Sequence, residues 1–244
     1  MSFPSVCCNT PPVAASYTPK GERGKLGDFD CYFAGSKESK QGIIVNYDVF
    51  GFHSNVLQLC DIIGSLGFYV LLPDLLRGAP LTEADLGKPG VFASFLQHAG
   101  SWESNRAAYI QAREHLHNSG VTSVGIIGFC WGGKMVVTAL AQLDGFVGGA
   151  VVHPALIESG DFGQINAPLL ALPSKDEDQA MFAQGFAQLK ASKSFGSQCR
   201  LEPFEDMFHG FCGARGDWAV PEQAKRANDA IKHLVAFFSN LIPN

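Results

Sequence analysis

The sequence predicts an α/β fold, a mostly parallel sheet with helices on both faces. Two observations carry this. Short apolar, β-branched runs alternate with stretches of helical periodicity along the chain, and a glycine-rich turn lies directly between one such run and a helix. The 244 residues contain no internal repeat, low-complexity block or Ser/Gly linker, so one domain over residues 1–244 is expected, with residues 1–25 as an N-terminal arm.

Gly42 to Tyr47 (GIIVNY) is the first strand. Val56, Leu59, Cys60, Ile63 and Leu66 then follow helical spacing, and Gly67 sits where a C-capping glycine belongs. Phe68 to Leu72 is a strand ended by Pro73. After a Gly- and Pro-rich loop, Ala107, Ile110 and Leu116 mark a helix, Val121 to Ile127 a strand, and Trp131 to Leu143 a helix. Phe146 to Val152 and Pro168 to Leu172 supply two more strands, and a helix is expected around Met181 to Leu189. A polar-alternating strand runs near Gln198 to Phe204. Pro221 opens the last helix, with Ala224, Ala227, Ile231, Leu234 and Phe238 on one face. Crossovers in such sheets are right-handed, and sites collect beyond the carboxyl ends of the strands.

Hydrophobic residues make up 46% of the chain and charged residues 17%, which excludes a disordered polyelectrolyte. Eighteen Lys+Arg against 23 Asp+Glu leave a net charge of −5, a surface that repels phosphate backbones, so nucleic acid is not expected as a partner. No apolar run is long enough to cross a bilayer, and the first 20 residues lack a basic leader and an apolar h-region. The expectation is a cytoplasmic protein, a monomer or weak homodimer, with no membrane partner. Seven cysteines without a C-x-x-C pair point to thiols in a reducing compartment rather than to disulfides or a metal site. Cys7-Cys8, among Pro4, Pro11 and Pro12, belong to the N-terminal arm on this reading.

Gly128-Phe129-Cys130-Trp131-Gly132-Gly133 has the form of a G-x-S-x-G nucleophile elbow with cysteine in the serine position. Such a turn exposes the sulfur at the N-terminus of a helix, where free amides stabilise negative charge. The Trp131 N–H is one candidate oxyanion donor, and the Val49 N–H, in the loop after the first strand, is the other. His209, after the last strand, is the candidate base. His153, which also ends a strand beside the elbow, ranks second as a polar wall of the pocket or a strand cap. The remaining histidines fall on helices or at their ends. Ser174-Lys175-Asp176-Glu177-Asp178 offers three carboxylates; Asp176, nearest the strand end, is assigned as the orienting acid and Asp178 as the N-cap of the next helix. Asp48 is either a proton partner of the thiol or a loop-capping carboxylate. Arg77 either binds a substrate carboxylate or pairs with Asp74, and Arg215 has the same two readings, with Asp217 as its neighbour.

The GFCWGG elbow, the YDVFGF loop, the PDLLRG segment, the HGF histidine and the ARGDWAVPEQ tail together resemble the dienelactone hydrolase family, in its eukaryotic, fungal-like branch, from about Cys31 to the C-terminus. The resemblance implies an α/β-hydrolase fold, a triad of Cys130, His209 and Asp176, and hydrolysis of small lactones or esters without a metal or organic cofactor, in some relatives within secondary metabolism. Bacterial members carry a glutamate on the oxyanion loop that accepts the thiol proton, and arginines that hold the substrate carboxylate; here the loop carries Asp48, one methylene shorter, and the spacing after His209 differs. Two other readings are a non-catalytic small-ligand binder on the same fold and a thiol redox enzyme using Cys130 with Cys212.

Overall fold

The computed structural model describes residues 16–242. Cys7 and Cys8, and most of the expected arm, lie outside the described residues. The strands are β1 (Glu22–Leu26), β2 (Phe29–Ala34), β3 (Gln41–Asn46), β4 (Tyr69–Pro73), β5 (Ser123–Phe129), β6 (Gly148–Val152), β7 (Leu169–Leu172) and β8 (Arg200–Leu201). The helices are α1 (Ser54–Ser65), α2 (Val91–Gln97), α3 (Trp102–Asn118), α4 (Trp131–Gln142), α5 (Gln179–Ser192) and α6 (Pro221–Leu241). All the strands join one sheet in the order β1-β2-β4-β3-β5-β6-β7-β8, parallel from β4 to β8 and antiparallel at β1–β2 and β2–β4.

The fold class follows the sequence pattern, with four local departures. The expected arm ends at Glu22, where β1 pairs with β2 from Glu22↔Phe33 to Leu26↔Phe29. β1 is a half-exposed edge strand of charged residues, so it carries no apolar run to announce it. Helix α2 interrupts the expected loop. β5 starts two residues late because the Val121 N–H closes α3 on Leu116 O and the Thr122 N–H goes to Lys40 O. β8 is two residues long, since residues 196–198 form a 3₁₀ turn and Phe204 meets Ser174 in an isolated bridge.

The central strands are buried on both faces. Ile43, Ile44, Val45, Val70, Leu71 and Leu72 are fully covered, each burial contributing about 1.5–3 kcal/mol. Helices α1 and α6 pack against each other on one face, α3 and α4 on the other. α6 begins with Pro221 in its first turn and turns Ala227, Ile231, Leu234 and Phe238 inward, the face its periodicity predicts. Because β3, β5, β6 and β7 run parallel, the loops after Asn46, Phe129, Val152 and Leu172 emerge at one edge of the sheet, and the chemistry-bearing residues meet there.

Candidate active site

Cys130 links β5 to α4 with φ 52° and ψ −119°, a conformation costing a non-glycine residue about 1–3 kcal/mol. The turn holds because its surroundings over-determine it. The Cys130 N–H donates to Val152 O at 3.3 Å, and the Cys130 carbonyl accepts from Gly133 at 3.0 Å and Ala155 at 2.9 Å. The flanking glycines are sterically required. A Cβ on Gly128 would sit 2.1 Å from Gly132 O, and one on Gly132 would come within 2.6 Å of Tyr47 O and 2.8 Å of Asn46 O. That second contact also presses the end of β3 against the elbow, which brings the Asp48–Val49 turn beside Cys130. The Trp131 N–H, first in α4, has no intrahelical partner to take it. The Trp131 indole donates to Gly100 O at 2.9 Å and meets the Phe95 ring edge-on at 5.5 Å, tying the α2–α3 connection to the elbow.

His209 is 1% exposed and bonds through its side chain to Cys130. Its Nδ1 lies 2.7 Å from Glu177 Oε1, not from Asp176. Here the structure corrects the sequence reading. Asp176 Oδ2 accepts the backbone N–H of His209 at 2.8 Å, which uses the shorter carboxylate to fix the loop. Glu177, one methylene longer, reaches the ring and also accepts the Ser174 N–H. The two segments are registered by the Ser174–Phe204 bridge and by the Lys175 N–H to Met207 O bond of 3.0 Å. Asp178 caps α5 as expected, accepting from the Met181 N–H at 2.9 Å. Burial opposes a charge on His209, but Cys130 and Glu177 more than offset it and raise the imidazole to about 10. An imidazole so held is cationic at neutral pH, with Cys130 and Glu177 as its side-chain partners.

The other candidates divide. Asp48, 5% exposed, spends Oδ1 on the Phe50 N–H and Oδ2 on the Ala214 N–H, both at 2.9 Å. It braces the loop carrying Val49 against the loop that follows His209, which is the loop-capping alternative. Arg77 does not pair with Asp74. Its guanidinium donates to Leu75 O and Ser104 O, each at 3.2 Å, with Asp28 3.9 Å away, so it fastens the start of α3. Asp74 instead accepts from Tyr47 Oη at 2.5 Å and from the Gly78 N–H at 2.7 Å. Arg215 is 5% exposed, with its guanidinium 5.3 Å from the centre of the Phe50 ring. His153 is fully buried with its ring 5.2 Å from that of His209. Cys212 turns its sulfur to Ala227 O on α6, and burial pushes its thiol up, so nothing prepares it as a redox partner. No disulfide joins described cysteines.

The sequence did not single out Glu177. The available signal was the run of three carboxylates itself; which of them faces His209 depends on how β8 and the following turn dock on the end of β7.

The model of the dienelactone hydrolase family matches residues 29–242. An uncharacterised AIM2 family protein of Schizosaccharomyces pombe is 34% identical, over 97% of this chain and 99% of that one. A protein described as hydrolase tropI, from Talaromyces stipitatus, is 25% identical over 98% and 97% of the two chains. Among solved structures, a dienelactone hydrolase, described as putative, from Klebsiella pneumoniae superposes with a TM-score of 0.73 at 16% identity, covering 91% of this chain and 99% of that one, a likeness of fold. With the α/β-hydrolase sheet and the family match extending over nearly all the described residues, this chain is a hydrolase belonging to the dienelactone hydrolase family.

Proposed function

We propose that the protein hydrolyses small lactones or esters through a thioester on Cys130, with His209 as acid and base and Glu177 orienting it. The observation that carries this reading is the buried imidazole of His209, bonded to Cys130 on one side and to Glu177 on the other.

The Cys130 thiolate attacks the substrate carbonyl carbon, forming a C–S bond and a tetrahedral oxyanion held by the amides of Val49 and Trp131. The C–O bond to the leaving oxygen breaks as the His209 imidazolium gives that oxygen its proton. Water then adds to the thioester, losing a proton to the neutral imidazole. The C–S bond breaks, and the products are a carboxylic acid, an alcohol (one hydroxy acid from a lactone) and the regenerated thiolate–imidazolium pair. Glu177 keeps Nδ1–H on the ring, so that Nε2 does the proton transfers. Phe50, Leu156 and Phe208 are half-buried apolar side chains adjoining the oxyanion loop, the Cys130 brace and the base, and they suit a small apolar acyl group. A reducing, cytoplasmic setting keeps such a thiolate active.

The test is turnover of a p-nitrophenyl ester and of a simple lactone, before and after iodoacetamide. Turnover that disappears in step with alkylation of Cys130 is expected. Turnover surviving full alkylation, or none on any ester or lactone, overturns the proposal.

A further inference from the structure

His153 ends β6 with a left-handed φ of 37°, immediately before Pro154, and its backbone N–H donates to Leu172 O at 2.9 Å. Its ring is fully buried, and neither Nδ1 nor Nε2 has a hydrogen-bond partner. Three rings enclose it: Phe129 at 5.7 Å, Phe211 at 5.6 Å and His209 at 5.2 Å, the last inclined by 71°. A phenyl ring would suit such an aromatic cage better, because burying polar atoms without partners is destabilising. Stability therefore gives no reason for an imidazole here.

The charged neighbours supply a reason. The cationic side chains of His209 and Arg215 both act on the ring, and together with burial they hold it neutral. The Asp48 carboxylate is also near: a Cβ on Gly213 would be 2.7 Å from Asp48 Oδ2 and 3.5 Å from both Nε2 and Cε1 of His153. Cys130 and Glu177 both bond to the side chain of His209. A neutral imidazole protonated on Nε2 turns the positive end of its dipole toward Asp48 and leaves the negative end on the other side of the ring. In a dry interior such an ion–dipole attraction is weakly screened.

We propose that His153 is a positioning residue: as a neutral imidazole packed edge-on against the His209 ring, with the Asp48 carboxylate close by, it holds His209 in its charged, Cys130-facing state. This rests on the reading of Cys130 and His209 as the reacting pair.

His153→Phe keeps an aromatic wall and removes the dipole. The expected variant is folded, with an equal or higher Tm, and loses about tenfold in kcat with KM changed less than about twofold. The alkaline limb of its kcat/KM profile moves down by about one pH unit, because the imidazolium is lost earlier. His153→Gln, with a neutral polar head, restores most of that limb. A folded His153→Phe variant with the wild-type limb and kcat would show that the ring only packs, and would overturn the proposal. If His153→Phe does not fold, the wild type decides. NMR titration of labelled imidazoles should find His153 neutral throughout the working range of pH, and proton uptake by His153 there overturns the proposal. The rate of Cys130 alkylation by iodoacetamide changes as the imidazolium is lost, and reads the same limb without any ester. Failure of the hydrolase reading is thus distinguishable from failure of this one.

Discussion

Cys130 sits on a turn shaped by its own neighbours in sequence: Gly128 lets β5 turn tightly into α4, while Gly132 and Gly133 leave room for the end of β3 and for Pro154, and bonds to Val152 and Ala155 hold the strained residue. His209 is placed instead by Asp176, 33 residues away, which holds its backbone, and by Glu177, 32 residues away, which holds its ring. The half of the site that carries the proposed nucleophile is thus built on a local turn and braced by β6. The acid–base half exists only when β7, β8 and the loops beyond them have docked. A local device tolerates change outside itself, whereas an assembled one can be disabled at a distance from the atom that does the work.

The largest expected effect breaks the local half. Cys130→Ala should lower kcat/KM for esters by about 10⁴-fold or more, and His209→Ala should fall to a similar floor because the pair acts as a unit. Both variants should keep cooperative unfolding and near-native circular dichroism. Turnover near wild type in either would mean that another group does the chemistry.

The next prediction separates the two carboxylates of the assembled half. Glu177→Gln should cost about 10²- to 10⁴-fold in kcat, since the amide presents the wrong partner to Nδ1. Asp176→Asn should cost only about tenfold, through slack in the His209 backbone. The pH dependence sharpens the contrast. His209 is raised from its ordinary value to about 10, so its imidazolium form stays full to about one pH unit below that value and is lost as pH rises through about 10. Removing the Glu177 charge takes away one of the causes of that rise and should move the alkaline limb of kcat/KM to lower pH. Asp176→Asn should leave the limb in place. Equal losses and equal limbs in the two variants would return the orienting role to Asp176.

The smallest effect concerns the third carboxylate of the run. Asp178→Ala removes the N-cap of α5 and should cost about 1 kcal/mol in chemical denaturation, with kcat within about twofold of wild type. A large catalytic loss there would place the acid one residue further along than the geometry does.

Periodicity determined the α/β class and the succession of central strands and helices along the chain, the elbow motif and the chain order of its partners pointed to Cys130 and to the histidine after the last strand, and capping chemistry gave Asp178. Each strand, helix, turn and cap is written within a window of about a dozen residues, over which side-chain spacing and glycine sterics act directly. Tertiary structure decided the rest. The β1–β2 hairpin was hidden because an edge strand of charged residues buries too little to show an apolar pattern. Arg77 was sent to α3 by the positive φ at its own backbone and by acceptors that only folding brings near, while Asp74 was taken by Tyr47. The choice of Glu177 over Asp176 turned on one methylene of reach, set by the register of the Ser174–Phe204 bridge. Sequence spacing fixes which residue types are available at a strand end. Which of them meets an imidazole is a matter of ångströms, and those are fixed only when distant segments pack.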